Sequence, residues 1–274
     1  MPGSRYNVVL VQPKDYPYSQ GLWDICRLLH YSLESLGYQS ALKVNELDRQ
    51  AINIIVGYHL TADAWAFQSH KIILYQLEQL GATDGILTPQ RLEILRQAAE
   101  IWDYSPINIE FLKSRGVANV KLLPIGFHEK LCTIEKTQED IDVLFYGVVN
   151  GRRETLLKHL GERCRLKILG GVYGQERDAI IARSKIVLNV HCYDAQIMEE
   201  CRISYLLNNE RFVICEDSRI NPYEGMIVTG DYRELPNLCG KYLQDEAARR
   251  QMANNGLEMF RQRPMVENLR QILQ

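Results

Sequence analysis

The residues best suited to chemistry in this chain follow directly behind short apolar runs. Ile141-Asp142-Val143-Leu144-Phe145-Tyr146 ends in Gly147, and Asn150-Gly151-Arg152-Arg153 comes next. A strand that stops at a glycine and turns into a helix near Arg152 leaves free backbone N–H groups and the positive end of a helix dipole at one edge. Arg152 and Arg153 add two guanidinium forks, a pairing suited to a diphosphate. The plain alternative is an ordinary strand-to-helix turn with solvated arginines.

Three further places carry comparable side chains. Gly170-Gly171-Val172-Tyr173-Gly174 follows the next strand, where Gly171 would let backbone approach a flat base or ribose and Tyr173 offers a stacking ring. The spacing is not the Gly-x-Gly-x-x-Gly of dinucleotide sites, which argues against a nicotinamide enzyme. The run Ile186-Val187-Leu188-Asn189-Val190 then leads to His191, Tyr193 and Asp194, and on to Glu199 and Arg202. A histidine, a phenol, carboxylates and an arginine after one strand end make a credible cradle for a sugar and its phosphate. In the first half, His59 closes one strand candidate and Glu78 the next. If those strands are neighbours, imidazole and carboxylate together face an acceptor hydroxyl as general base. The bland reading makes His59 a backbone-bonding strand end and Glu78 a helix-start residue.

The elements that must position these residues alternate almost throughout. Strand candidates are Val8–Val11, Ser40–Val44, Ile52–Val56, Lys71–Tyr75, Ile101–Tyr104 and Val120–Leu123, then Val143–Tyr146, Leu166–Leu169, Ile186–Val190 and Phe212–Cys215. Leu22, Ile25, Leu29, Leu33 and Leu36 follow helical spacing up to a stop at Gly37. Later helices are expected over Arg152–Arg163, Glu176–Ser184, Met198–Asn208 and Gly240–Gln262. Alternation of this kind implies parallel sheets covered by helices on both faces.

Bulk properties narrow the function. The 274 residues suit two small α/β domains, and 46% hydrophobic with 24% charged residues is ordinary globular composition. A net charge of -2 supplies no field to gather nucleic acid. No stretch approaches the ~20 apolar residues of a membrane span, and the opening residues lack a signal-peptide core. Seven scattered cysteines, never spaced Cys-x-x-Cys, point away from a disulfide framework or zinc site and toward a reducing cytoplasm. No metal ligand set and no bound cofactor are expected. The oligomeric state is not legible.

The stretch Glu100-Ile101-Trp102-Asp103-Tyr104-Ser105-Pro106 through Pro124-Ile125-Gly126, followed by the Gly147–Arg153 turn, resembles the interdomain crossover of GT-B glycosyltransferases. That resemblance implies an α/β chain of two Rossmann-like domains with parallel sheets. Residues 1–130 would form an acceptor-side domain, 131–140 a polar linker, 141–262 a nucleotide-sugar domain, and 263–274 a terminal helix packing back on the first domain or completing the second. It implies transfer of a sugar from a nucleotide-sugar to a glycan, lipid-linked or peptide acceptor, without a metal. Donor contacts would come from Gly147, Asn150, Arg152, Arg153, Gly171, Tyr173, His191, Tyr193, Asp194, Glu199 and Arg202, with His59 or Glu78 as base. Tyr205 stands where many such enzymes carry a ribose-binding glutamate, and Asn208-Asn209-Glu210 replaces their glycine turn. An arginine shortly before that helix looks more like the CgeB-like branch of group-one glycosyltransferases. A non-catalytic sugar-nucleotide-binding module and a sugar-nucleotide epimerase of the same fold stay open as alternatives.

Overall fold

The protein is seen as a computed structural model that describes residues 4–60, 69–80 and 87–274. The chain divides into two units, Met1–Leu131 with Arg263–Gln274, and Cys132–Gln262.

The first unit is built on a parallel sheet. Its strands are β1 (Arg5–Leu10), β2 (Gln39–Val44), β3 (Ile52–Val56), β4 (Lys71–Gln76), β5 (Glu100–Asp103) and β6 (Val120–Leu122). Helix α1 (Trp23–Ser35) joins β1 to β2, and α2 (Pro89–Gln97) and α3 (Pro106–Ser114) cover the later crossovers. The order is β2-β1-β3-β4-β5-β6. Central strands β1, β3 and β4 are nearly continuous buried apolar runs, as a sheet covered on both faces requires. The edge strands β2 and β6 are more exposed. Tyr38 N–H bonds back to Leu33 O at 3.0 Å beyond Gly37, which closes α1. The terminal helix Met265–Leu273 belongs to this unit: Met265 and Leu269 are fully buried, and Phe127 and Met265 exchange backbone bonds with Arg263 and Phe127 at 2.8 and 2.9 Å.

The second unit repeats the plan. It contains β7 (Ile141–Tyr146), α4 (Gly151–Gly161), β8 (Leu166–Leu169), α5 (Gly174–Ala182), β9 (Ser184–Asn189), α6 (Glu200–Asn208), β10 (Val213–Glu216), β11 (Val228–Gly230), α7 (Leu235–Leu243) and α8 (Glu246–Arg261). Its parallel sheet runs β11-β10-β9-β7-β8. Val143, Phe145, Leu157, Ile186, Leu188 and Ile214 form its core with Leu235 and Cys239 from α7.

Both sheets therefore share one arrangement: the first strand is flanked by the second and the third, and the chain winds outward in both directions. In open sheets of this kind the ligand crevice lies outside the carboxyl ends of the strands where the winding reverses. That places the crevices at the ends of β1 and β3 in the first unit, and of β7 and β9 in the second.

One expected helix is divided. Instead of a single helix over 240–262, the chain breaks at Gln244-Asp245. Asp245 turns out of helical geometry and its carboxylate accepts the Ala248 N–H, starting α8 afresh. Helix α5 begins at Gly174 and β9 at Ser184, each earlier than the sequence suggests.

Candidate functional site

In the second unit the sequence-derived residues converge on the β7/β9 crevice. Asn150 caps α4, its side chain accepting the Arg153 N–H at 3.1 Å while its amide donates to Cys192 O at 2.9 Å. One asparagine thus ties the turn after β7 to the loop after β9 and leaves the first N–H groups of α4 at the crevice.

The two paired arginines are held from within. Arg152 grips the buried Glu216 with both terminal nitrogens, Nη1 lying 2.6 Å from Oε2, and stacks on the Tyr232 ring at 4.3 Å. Arg153 is 3% exposed. Its Nε and Nη2 donate to Val190 O at 3.0 and 2.6 Å, and its Nη1 to Val148 O at 2.7 Å. Burial and the nearby Arg202 charge pull the Arg153 guanidinium below its ordinary range.

Arg202 occupies the crevice differently. Its guanidinium lies over the Tyr146 ring and against Gly147, where an added Cβ would sit 2.8 Å from Nη2. Gly147 has φ +134, a conformation other residues resist, so glycine serves both the turn and the close approach. Arg202 Nη1 donates to Asn189 Oδ1 at 2.6 Å. Among the described residues its Nε is buried without a partner, and its Nη2 makes no hydrogen bond.

Behind Arg202 stands a buried acid–imidazole pair. Glu199 Oε2 accepts from Asn189 Nδ2 at 2.7 Å and lies 3.0 Å from His191 Nδ1. His191 Nε2 meets Asp217 O and Ser218 Oγ, each at 3.0 Å. Burial alone would lower the imidazole. The Glu199 bond and charge, then Glu216 and the Asp217 carbonyl, outweigh it and raise His191 above its ordinary 6.5. Burial likewise works against the Glu199 carboxylate, and His191, Arg202 and Asn189 reverse it, holding Glu199 below 4.5. Both shifts favour the charged forms, and Asn189 is bonded to both the acid and Arg202.

Gly171 has φ +68 and open space where a side chain would be, and Tyr173 stands immediately before α5. Tyr193 and Asp194 are exposed on the loop after β9. Tyr205 lies on α6, its hydroxyl bonded to Asp178 Oδ2 at 2.8 Å beneath the Arg177 guanidinium. The Asn208–Glu210 turn does take the left-handed conformation that a glycine would favour, at Glu210 with φ +53.

In the first unit β3 and β4 are neighbours, and His59 and Glu78 meet at their ends, with Nε2 3.3 Å from Oε1. Here burial is the first cause on both sides. It pulls His59 down to about 4, assisted by the Arg91 charge, and pushes Glu78 up against that same charge. Beneath them, Asp103 receives N–H bonds from Ser105, Asn108 and Gln76, and Asn108 and Gln76 also bind Glu78 O. Gly57, at φ +84, turns the chain from β3 into the His59 turn.

Sequence reasoning missed Glu216, Asn189 and Arg91. Glu216 closes the otherwise apolar run Val213-Ile214-Cys215, and a carboxylate at the end of a buried strand is a signal that was there to be read. Among the described residues, no three His, Cys, Asp or Glu side chains are grouped to hold a metal, and no helix is long and apolar enough to cross a membrane.

Comparison with known proteins agrees with this architecture. No family model matches the chain. It is 24% identical over 213 residues to the uncharacterized protein R358 of Acanthamoeba polyphaga mimivirus, covering 70% of this chain and 74% of that one. A second mimivirus protein, the uncharacterized L140, is 26% identical over 147 residues, about half the length of each. Among solved structures, AviGT4, a glycosyltransferase involved in avilamycin A biosynthesis, superposes with a TM-score of 0.60 at 12% identity, over 98% of this chain and 96% of that one. A UDP-forming trehalose-phosphate synthase from Burkholderia vietnamiensis superposes with a TM-score of 0.53 at 10% identity, over 96% and 80%. The fold is that of the GT-B glycosyltransferases.

Proposed function

We propose that this chain is a metal-independent glycosyltransferase of the group-one, CgeB-like branch, acting in the cytoplasm on a nucleotide-sugar and a glycan, lipid-linked or peptide acceptor. The observation that carries the reading is Arg202. It is a guanidinium held by Asn189 against the glycine that ends β7, with donors uncommitted among the described residues at the crevice where such sheets bind ligands.

Arg202 and the N-terminus of α4 would receive the diphosphate and stabilise the charge that develops as it departs. Asn189, Glu199 and His191 would hold Arg202 in place. Gly171 and Tyr173 would border the base, and Tyr193 and Asp194 the sugar. Arg152 and Arg153 would shape the turn that carries the donor.

In the reaction the bond between the anomeric carbon and the donor phosphate oxygen breaks, and the diphosphate leaves with that electron pair. A bond from the acceptor oxygen to the same carbon forms, and the acceptor proton passes to a base. His59 is suited to that role because burial keeps its imidazole neutral. Glu78, 3.3 Å from Nε2, would orient the ring.

The test is nucleotide release from UDP- and GDP-sugars. A transferase releases nucleotide slowly alone and much faster with acceptor. An epimerase interconverts the sugars, and a binding module does neither; either result overturns the proposal.

A further inference from the structure

At the opposite edge of the second unit's sheet, where β9 and β10 begin, lies a cavity of about 530 Å³. That volume falls in the range of small-molecule sites. Five cations line it: Lys136, Lys185, Arg211, Arg249 and Arg250. Three of them are answered by close carboxylates. Lys136 pairs with Glu210 at 2.8 Å, Lys185 with Asp142 at 2.7 Å, and Arg250 with Glu246.

The two that are buried are not. Arg211, 7% exposed, donates from Nε to Asn209 O at 2.7 Å and from Nη2 to Ile134 O at 3.3 Å, both neutral backbone acceptors. Arg249, 5% exposed, donates from Nη1 to Tyr242 O and Leu243 O at 2.5 and 3.3 Å. Its Nη2 has only Glu139 Oε2 at 3.9 Å, too far for a hydrogen bond. Two guanidinium groups are thus withdrawn from water beside one cavity without a hydrogen-bonded counter-ion. Such burial is costly unless an anion completes it. Burial, the leading influence, pulls Arg211 below its ordinary range against the more distant Glu139 and Glu210.

We infer that this cavity is a second ligand site that takes a phosphorylated small molecule, its phosphoryl oxygens completing Arg211 and Arg249. Guanidinium forks match phosphoryl oxygens in pairs, and the five cations of the lining outnumber its carboxylates, Glu139, Glu210 and Glu246. The site is separate from the β7/β9 crevice: it lies at the strand beginnings, not their ends. It stands whether or not the chain transfers sugars.

The test is calorimetric titration of the full chain with inorganic phosphate and with a hexose 6-phosphate. Saturable binding that weakens about tenfold or more in Arg249→Gln, the scale of one charged hydrogen bond, and persists in Arg202→Ala supports the site. Because Arg249 also holds the end of α7, the exposed pair Lys136→Glu and Arg250→Glu provides a variant that spares the fold. It should weaken hexose 6-phosphate binding at low salt. No binding at millimolar phosphate or hexose phosphate, or binding lost in Arg202→Ala and unchanged in both pocket variants, overturns the inference.

Discussion

Each unit sets a histidine just after its third strand, β3 or β9, against a glutamate, Glu78 after β4 or Glu199 at the start of α6, and the two pairs have opposite characters. In the second unit, His191 and Glu199 are both shifted toward their charged forms, and Asn189 and the Asp217 carbonyl support the ion pair. In the first, His59 and Glu78 sit at a similar separation but both are shifted toward neutrality, with burial the leading cause. The contact distance is nearly the same; the number of further hydrogen bonds to the charged forms decides the outcome. A pair shifted toward its charged forms, joined through Asn189 to Arg202, suits the holding of an anion. A neutral imidazole suits the taking of a proton.

The largest expected effect breaks this division of labour directly. His59→Ala and Glu78→Gln should lower sugar transfer by about 10²–10⁴-fold, the usual contribution of a general base, with nucleotide affinity unchanged. Normal transfer by both variants would remove the pair from the chemistry. Loss of nucleotide affinity instead would mean that the roles of the two units are reversed.

A smaller effect separates two glycines with left-handed backbone that each follow a central strand, Gly57 after β3 and Gly147 after β7. Alanine at either should cost about 1–3 kcal/mol of stability, read from urea unfolding. Only Gly147→Ala should also weaken nucleotide binding, because its Cβ displaces Arg202; the nearest neighbours of a Cβ at Gly57 are 3.5 Å away. Equal effects on binding would deny Arg202 its place.

The smallest effect is in the pH profile of stability. His191 is raised above 6.5, so its contribution is complete below 6.5 and is lost as pH rises through the raised value. Glu199 is lowered below 4.5, so its contribution is complete above 4.5 and is lost as pH falls through the lowered value. Together they contribute most between those two limits. His59 has the opposite slope, with its contribution complete above 6.5 and lost as pH falls through about 4. Glu78, raised, contributes below 4.5 and loses it as pH rises. In urea midpoints across this range, His191→Gln should fall furthest behind the wild type between pH 4.5 and 6.5 and converge with it in alkali. His59→Gln should gain on the wild type toward pH 4. Parallel curves for both variants would contradict the assignment.

The comparison also marks how far the sequence could be read. Strands such as Ile52–Val56 and Ile141–Tyr146 announce themselves as apolar runs, and Gly37 and Gly147 as the punctuation that ends an element. Those features suffice for two parallel sheets and for the strand ends that carry His59, Glu78 and His191. The partners of Arg152 and Arg153 were hidden, because Glu216 and Val190 come from strands far along the chain. The seating of Arg202 against Gly147 depends likewise on β7 and β9 being neighbours. The split at Asp245 was missed because apolar spacing continues across it, while the cap competes locally for the Ala248 N–H. The opposite titration of the two pairs depends on hydrogen bonds brought from elsewhere in the fold, such as those of Asn189 and Asp217, which residue types alone do not contain.

The anion role of Arg202 is read from calorimetry of UDP and GDP binding to the wild type and to Arg202→Ala, without magnesium. Loss of a charged hydrogen bond of about 1.5–3 kcal/mol should weaken the nucleotide roughly tenfold to a hundredfold. Arg202→Lys should recover part of it as a point charge without the fork. Unchanged affinity in Arg202→Ala, with unfolding as cooperative as the wild type, would place the nucleotide elsewhere and contradict the account.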